Sequence, residues 1–279
     1  MRDLNVSYET KYDKGFIIVA TQHAMYKNSA LALIDSLDEY YPDCKVMVVT
    51  VPEWADEFTD YEQVVEIRTD GPDERRTKLW ALQHTIFEKT CYLDADMEIV
   101  SPKICDVWDI LDDDHDMAFT LIYPQFGAST AIYNEEGQAE IRDNNIERHL
   151  RYHGGFFVYW KNETRPNALE AVEKWWKYWL EINNNSQWWI DHPEYYPVNR
   201  GWDQFTLWYI IMKDMPDLKI QEVGGLDEEG LRWNWHTTYR TALIIDEPIV
   251  WHKPINREVM NSGTPDHFYS KGTRRGDAG

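Results

Sequence analysis

Between residues 15 and 94, short apolar runs alternate with stretches whose apolar residues recur every three or four positions, the pattern of βαβ units. GFIIVAT (15–21) reads as a buried strand. NSALALIDSLDEYY (28–41) reads as an amphipathic helix opened by an Asn cap. KVMVVTV (45–51) and VVEI (64–67) are the next two strands, and TKLWALQHTIF (77–87) is a helix with Leu79, Leu82 and Ile86 near one face. That helix leads into the strand TCYLD (90–94). Farther on, MAFTLIY (117–123) and GGFFVYW (154–160) are strands, a long helix runs from about Pro166 to Ile182, and WDQFTLWYIIMKD (202–214) is another helix. LKIQEV, LRWNWHT and ALIIDEPIVWH supply late strands. With no internal repeat and no low-complexity linker, the expectation is one α/β domain.

Asp94 and Asp96 fall at the carboxyl end of a strand, where open α/β sheets bind their ligands. On an extended segment, residues i and i+2 project to the same side, so the two carboxylates could reach one cation. Spacing alone does not select this pair, because the chain holds two more Asp-x-Asp pairs, both in LDDDHD (111–116). Those follow a short helical stretch, WDIL, and read as a solvated turn.

Composition narrows the partners. The formal net charge of −21 makes the average surface repel nucleic acid and anionic lipid, so an anionic ligand needs a local exception. The candidates are Arg75, Arg76 and Lys78 before a helix, and His252 with Lys253 near the end of the chain; Arg76 reads as part of a solvated basic face. Hydrophobic residues make up 43%, which excludes disorder, and no apolar run is long enough to span a membrane. The N-terminus is polar, and three cysteines cannot form a disulfide framework, so Cys44, Cys91 and Cys105 are expected reduced and the protein cytoplasmic. Of the 14 tryptophans, Trp175 and Trp179 share a helical face and belong to the core. Trp188 and Trp189, among polar and turn residues, are candidates for a sugar or base platform.

Five segments in order carry a family resemblance: VATQHAMYKNSALALIDSL, RRTKLWALQHTIFEKTC with YLDADMEIVSP, YHGGFFVYW, WDQFTL and VWHKPI. Together they resemble the GT-A glycosyltransferases, in particular the glycogenin-like retaining family (glycosyltransferase family 8). The resemblance implies a single GT-A domain over 1–255, with a nucleotide-sugar half at 15–125, an acceptor-side half at 126–255, and a partly mobile extension at 256–279. It implies Asp94, Asp96 and His252 as ligands of Mn²⁺ or Mg²⁺, an assignment that suits hard oxygens joined by an imidazole. It further implies Lys78, Arg75 and Lys253 on the phosphates of a UDP-sugar, Thr21 and Tyr26 on its base, and Asp203 with Gln204 beside the reacting anomeric carbon. The sequence departs from the family at His153, where an Asn is usual, at Trp208, also usually Asn, and in the adjacency of His252 and Lys253.

The expected activity is sugar transfer with retention from a nucleotide sugar to a glycan, a protein or a hydroxymethylated DNA base. The rival from another class is a non-catalytic carbohydrate-binding protein, which would explain the tryptophans but not the ordered metal and phosphate residues. A haloacid-type phosphatase would place its Asp-x-Asp on the first strand, and a sugar nucleotidyltransferase would carry a Gly-rich loop that VATQHAMYKN lacks.

Overall fold

Strand β1 (Tyr12–Ala20) sends alternate side chains to opposite sides of a central sheet, and that alternation organises the rest of the protein. Phe16, Ile18 and Ala20 pack on one face with Leu33, Ile34 and Leu37 of helix α1 (Ala24–Tyr40); Ile17 and Val19 pack on the other. Each fully buried Leu, Ile or Phe contributes about 1.5–3 kcal/mol. The computed structural model describes residues 10–74, 76–121, 152–162, 164–183, 185–192, 203–223, 232–233, 235–236 and 248–252.

β1 is flanked by β2 (Val46–Thr50) and, on its other side, by β4 (Phe87–Leu93), both parallel to it; β3 (Val64–Arg68) extends the sheet beyond β2. The chain therefore moves outward through β1, β2 and β3 and returns to β4, making the β1/β4 boundary a topological switch point. The far half is mixed: β7 (Tyr152–Trp160) runs antiparallel to both β4 and β6 (Met117–Leu121), and β8 (Ile220–Val223) runs parallel to β6. The order is β3-β2-β1-β4-β7-β6-β8.

The first face is covered by α1 and by a 3-10 helical stretch, Pro102–Ile110, which contributes Ile104, Val107 and Trp108. The second is covered by α2 (Thr77–Gln83), α3 (Pro166–Asn183) and, beyond α4 (Ser186–Asp191), by α5 (Asp203–Tyr209) with the π-helical turn Ile210–Asp214. Ala168, Ala171, Val172, Trp175, Trp179 and Ile182 all lie on the buried face of α3 at helical spacing, as expected for the two tryptophans. No described helix is long and apolar enough to cross a membrane.

Several boundaries differ from the sequence reading. α1 begins four residues earlier than its Asn signal: His23 is extended and its Nδ1 accepts the Met25 N–H (3.1 Å), so an imidazole caps the helix and Asn28 lies exposed within it. α2 stops at Gln83, because Phe87 is already pairing with Tyr12 in the sheet. Trp189 is core rather than platform, 2% exposed with its indole N–H donated to the Ile182 carbonyl (2.9 Å), and Trp188 stacks on His192 at 4.2 Å. Both packing contacts sit in a short aromatic cluster with Phe205 and Trp208.

At Gly15 a Cβ would lie 2.3 Å from a ring carbon of the fully buried Phe87. Gly15→Ala is expected to destabilise the fold by about 1–3 kcal/mol through overpacking. Urea denaturation checks this, and an unchanged midpoint would contradict the packing described.

Candidate functional site

β4 ends at Leu93, and the chain turns at once: Asp94 O accepts the Met97 N–H at 3.1 Å, and β5 (Met97–Ile99) begins. Asp94 and Asp96 thus flank a tight turn instead of continuing an extended strand, which corrects the i, i+2 geometry expected from the sequence. The two carboxylates still lie close together, and the late strand β10 (Val250–His252), antiparallel to β5 with His252 opposite Met97, brings the imidazole to them. A third short strand, β9 (Trp235–His236), runs parallel to β10 on its other side. One ligand atom from each of Asp94, Asp96 and His252 lies within 4.8 Å of the others. His252 Nε2 is 3.2 Å from Asp96 Oδ1, so this nitrogen faces the carboxylates.

The surroundings fix the trio. Tyr92, whose side chain the strand alternation turns to the second face, donates its hydroxyl to Asp94 Oδ1 at 2.8 Å; burial and the Asp94 charge hold that phenol well above its usual range. The Asp94 N–H donates to Gly155 O (2.8 Å), extending the β4–β7 ladder. Gly155 must be glycine for space: a Cβ there would meet Asp94 Oδ2 at 2.3 Å and Cγ at 2.8 Å. His153, two residues earlier, is buried edge-on to His252 with centroids 4.9 Å apart. Its Nδ1 accepts the Gly155 N–H at 3.1 Å, which leaves the ring proton on Nε2. Burial first, then His252 and Lys78, push this imidazole well below its usual pKa, so it stays neutral.

A second charge cluster adjoins the trio. Lys78, on the first turn of α2, places Nζ 2.8 Å from Asp203 Oδ2, 3.8 Å from Asp94 Oδ1 and 2.9 Å from Gly154 O. Arg76, at the cap of the same helix, reaches Asp203 Oδ1 at 3.2 Å. Asp203 opens α5, is 5% exposed, and is further held by the Trp175 indole N–H donated to its backbone carbonyl (2.8 Å). Burial works against its ionisation, but Arg76 and Lys78 together outweigh that and hold the carboxyl well below the usual range. Gln204 is buried beside it, donating its amide to Tyr152 O at 2.8 Å. Among these described groups, three carboxylates face two cations. A divalent ion would turn that net negative charge positive, so the donor set and the charge both fit a hard dication and an anionic ligand on it.

Thr21, buried, and Tyr26, partly buried, lie at the carboxyl end of β1. Since Ile18 pairs with Leu93, they share one end of the switch point with Asp94. The connecting loop is tightly built. Gln22 has φ of 70°, the Thr21 carbonyl accepts the His23 N–H (2.9 Å), and Asp73 Oδ1 accepts the Gln22 N–H (2.8 Å). Arg75, Lys253 and the extension at 256–279 lie outside the described residues.

Arg76 is a correction: its side chain is 13% exposed and bound to Asp203, not part of a solvated basic face. Tyr92 was missed altogether, although its place on the alternating strand could have flagged it. Asp112, Asp113 and Asp114 of LDDDHD do form an exposed turn, with Asp112 Oδ1 accepting from Asp114 and His115 N–H groups at 2.8 and 3.1 Å, but Asp116 of the second pair is buried at 6% exposure, its Oδ2 accepting the Lys219 N–H at 2.9 Å.

Gly155→Ala is expected to displace the Asp94 carboxylate and lower Mn²⁺ affinity by about tenfold or more. Calorimetric titration with MnCl₂ reads the effect, and parent-like affinity would show that Asp94 is not a ligand.

No protein-family model and no curated protein sequence matches the chain. Solved structures do. The WbbM bifunctional glycosyltransferase is 11% identical over 86% of this chain and 45% of its own, with a TM-score of 0.53. The glycosyltransferase GlyE of Streptococcus pneumoniae is 12% identical over 86% of this chain and 55% of its own, with a TM-score of 0.54. The chain thus spans about half the length of these two. The galactosyltransferase LgtC, solved with donor and acceptor sugar analogues, is 14% identical over 85% of this chain and 86% of its own, with a TM-score of 0.51. The likeness is one of fold: the seven-stranded mixed sheet flanked by helices is the GT-A architecture that the sequence led us to expect.

Proposed function

We propose that the protein is a metal-dependent glycosyltransferase that moves a sugar from a nucleotide-sugar donor, a UDP-sugar by family resemblance, to an acceptor hydroxyl with retention. The observation that carries this reading is the convergence of Asp94, Asp96 and His252 from sequence positions about 150 residues apart onto the carboxyl end of the switch-point strands, beside the Lys78–Asp203–Arg76 cluster. Among solved structures with this fold, LgtC is a galactosyltransferase and GlyE a glycosyltransferase, which supports the same class of reaction here.

Asp94, Asp96 and His252 would hold Mn²⁺ or Mg²⁺. When bound, such an ion offsets the charge that develops on a departing nucleoside diphosphate. Lys78 supplies a point charge next to Asp94 for the same phosphates, and we assign Arg75 and Lys253 to them as well. Thr21 and Tyr26 hold the base. Asp203, paired to two cations, is a weak base, so we assign it orientation of the sugar and stabilisation of positive charge at the anomeric carbon. Gln204 lies beside it, and the acceptor's proton passes to the leaving phosphate.

The test is a screen of UDP- and GDP-sugars for release of nucleoside diphosphate, with and without Mn²⁺. Metal-dependent release from one donor is the expected result. Absence of metal-dependent binding or release for every donor would overturn the reading.

A further inference from the structure

Asp203 stands between two cations that differ in how firmly each is held. Arg76 meets Oδ1 at 3.2 Å while its guanidinium lies over the Trp179 ring, 5.4 Å from the centroid. That ring belongs to α3 and is 7% exposed, so the guanidinium rests on a fixed surface of the core. Lys78 meets Oδ2 at 2.8 Å from a flexible four-carbon stem, and its ammonium is also 3.8 Å from Asp94 Oδ1. Its Nζ, which also donates to the Gly154 carbonyl at 2.9 Å, therefore lies between the buried carboxylate and a candidate metal ligand.

A diphosphate arriving at Asp94 and Asp96 would compete with Asp203 for that ammonium. If Lys78 were the sole partner of Asp203, its departure would strand a carboxylate that is 5% exposed, and the cost of that stranding would hold Lys78 back. Arg76 removes the obstacle, because it remains on the other oxygen.

We propose that Lys78 exchanges between Asp203 and the leaving diphosphate, and that Arg76 is the positioning residue that keeps Asp203 oriented and charge-compensated while it does so. This rests on the transferase reading and goes beyond it, since it makes the contribution of Lys78 to phosphate binding conditional on Arg76. Two independent phosphate ligands would contribute additively; an exchange of this kind couples them.

The experiment is a double-mutant cycle on nucleotide affinity, measured by calorimetry with UDP and saturating Mn²⁺ as the probe, or GDP where UDP does not bind. The proteins are the parent, Lys78→Met, Arg76→Met and the double variant, with Arg76→Lys as the conservative control and far-UV circular dichroism confirming each fold. Lys78→Met is expected to weaken binding by about tenfold when Arg76 is present. In the Arg76→Met background the same change should cost no more than about twofold, because Lys78 is then already retained by Asp203. Arg76→Lys should restore most of the Lys78 effect. Equal costs of Lys78→Met in both backgrounds would overturn the exchange while leaving the transferase reading intact. A parent protein that binds neither nucleotide with Mn²⁺ would overturn both.

Discussion

Asp96→Asn should abolish Mn²⁺-stimulated donor hydrolysis, lowering kcat/KM by about a thousandfold while the fold persists. The substitution keeps the shape of the side chain but replaces a hard anionic oxygen with an amide that presents N–H groups to a cation. Asp96 Oδ1 lies 3.2 Å from His252 Nε2, so the same change also removes the charge that turns this imidazole toward the trio. Asp94 and His252 alone are a poor set for a hard dication. Asp114→Asn, in the exposed turn after the 3-10 helix, is the matched control and should leave activity at the parent level. Kinetics of both variants across a Mn²⁺ series check the expectation; metal dependence that survives in Asp96→Asn would remove this carboxylate from the site.

Asp203→Leu is expected to cost about 3–5 kcal/mol of folding stability, the range for breaking a buried ion pair by removing one partner. The aspartate at 5% exposure answers Arg76 and Lys78, each with a side chain only 13% exposed, and leucine leaves both cations facing an apolar group. The melting temperature should fall on the order of 10 °C. A pH signature accompanies this. Arg76 and Lys78 depress the folded-state carboxyl against the opposing effect of burial, so its contribution is complete above the unfolded carboxyl's pKa of about 3.9. It is lost as pH falls from there toward the lower folded value. Asp203→Asn should therefore flatten the stability profile below about pH 4 relative to the parent. Urea denaturation at neutral and acidic pH measures both effects. A loss below about 1 kcal/mol for Asp203→Leu at neutral pH would contradict the buried triad.

Much of the architecture was legible in the chain, because apolar periodicity is written locally. GFIIVAT and KVMVVTV overlap β1 and β2 to within three residues at each end, and the face of α3 shows in the spacing of Trp175 and Trp179. The boundaries that moved did so where tertiary pairing or an uncommon cap overrode propensity. Phe87 left its helical pattern for the sheet, and His23 took the capping place that Asn28 advertised. The candidate metal trio could be listed from the sequence, but its convergence depends on β10 returning beside β5, a contact about 150 residues long-range that no local pattern encodes. The turn at Asp94 and the room that Gly155 leaves for its carboxylate are likewise set by the partner strand. Arg76 was misread because a basic residue next to Lys78 in an acidic chain looks solvated, and only the position of α5 supplies its buried partner.

The account stands most directly on whether Asp94, Asp96 and His252 bind a cation that carries a nucleoside diphosphate. A crystal structure of the parent protein with Mn²⁺ and UDP, with anomalous data at the manganese edge, measures this. The expected result is one anomalous peak roughly 2.0–2.2 Å from an oxygen of each aspartate and from His252 Nε2, with the diphosphate on its open side. A peak elsewhere, or UDP bound with no metal at these three residues, would contradict it.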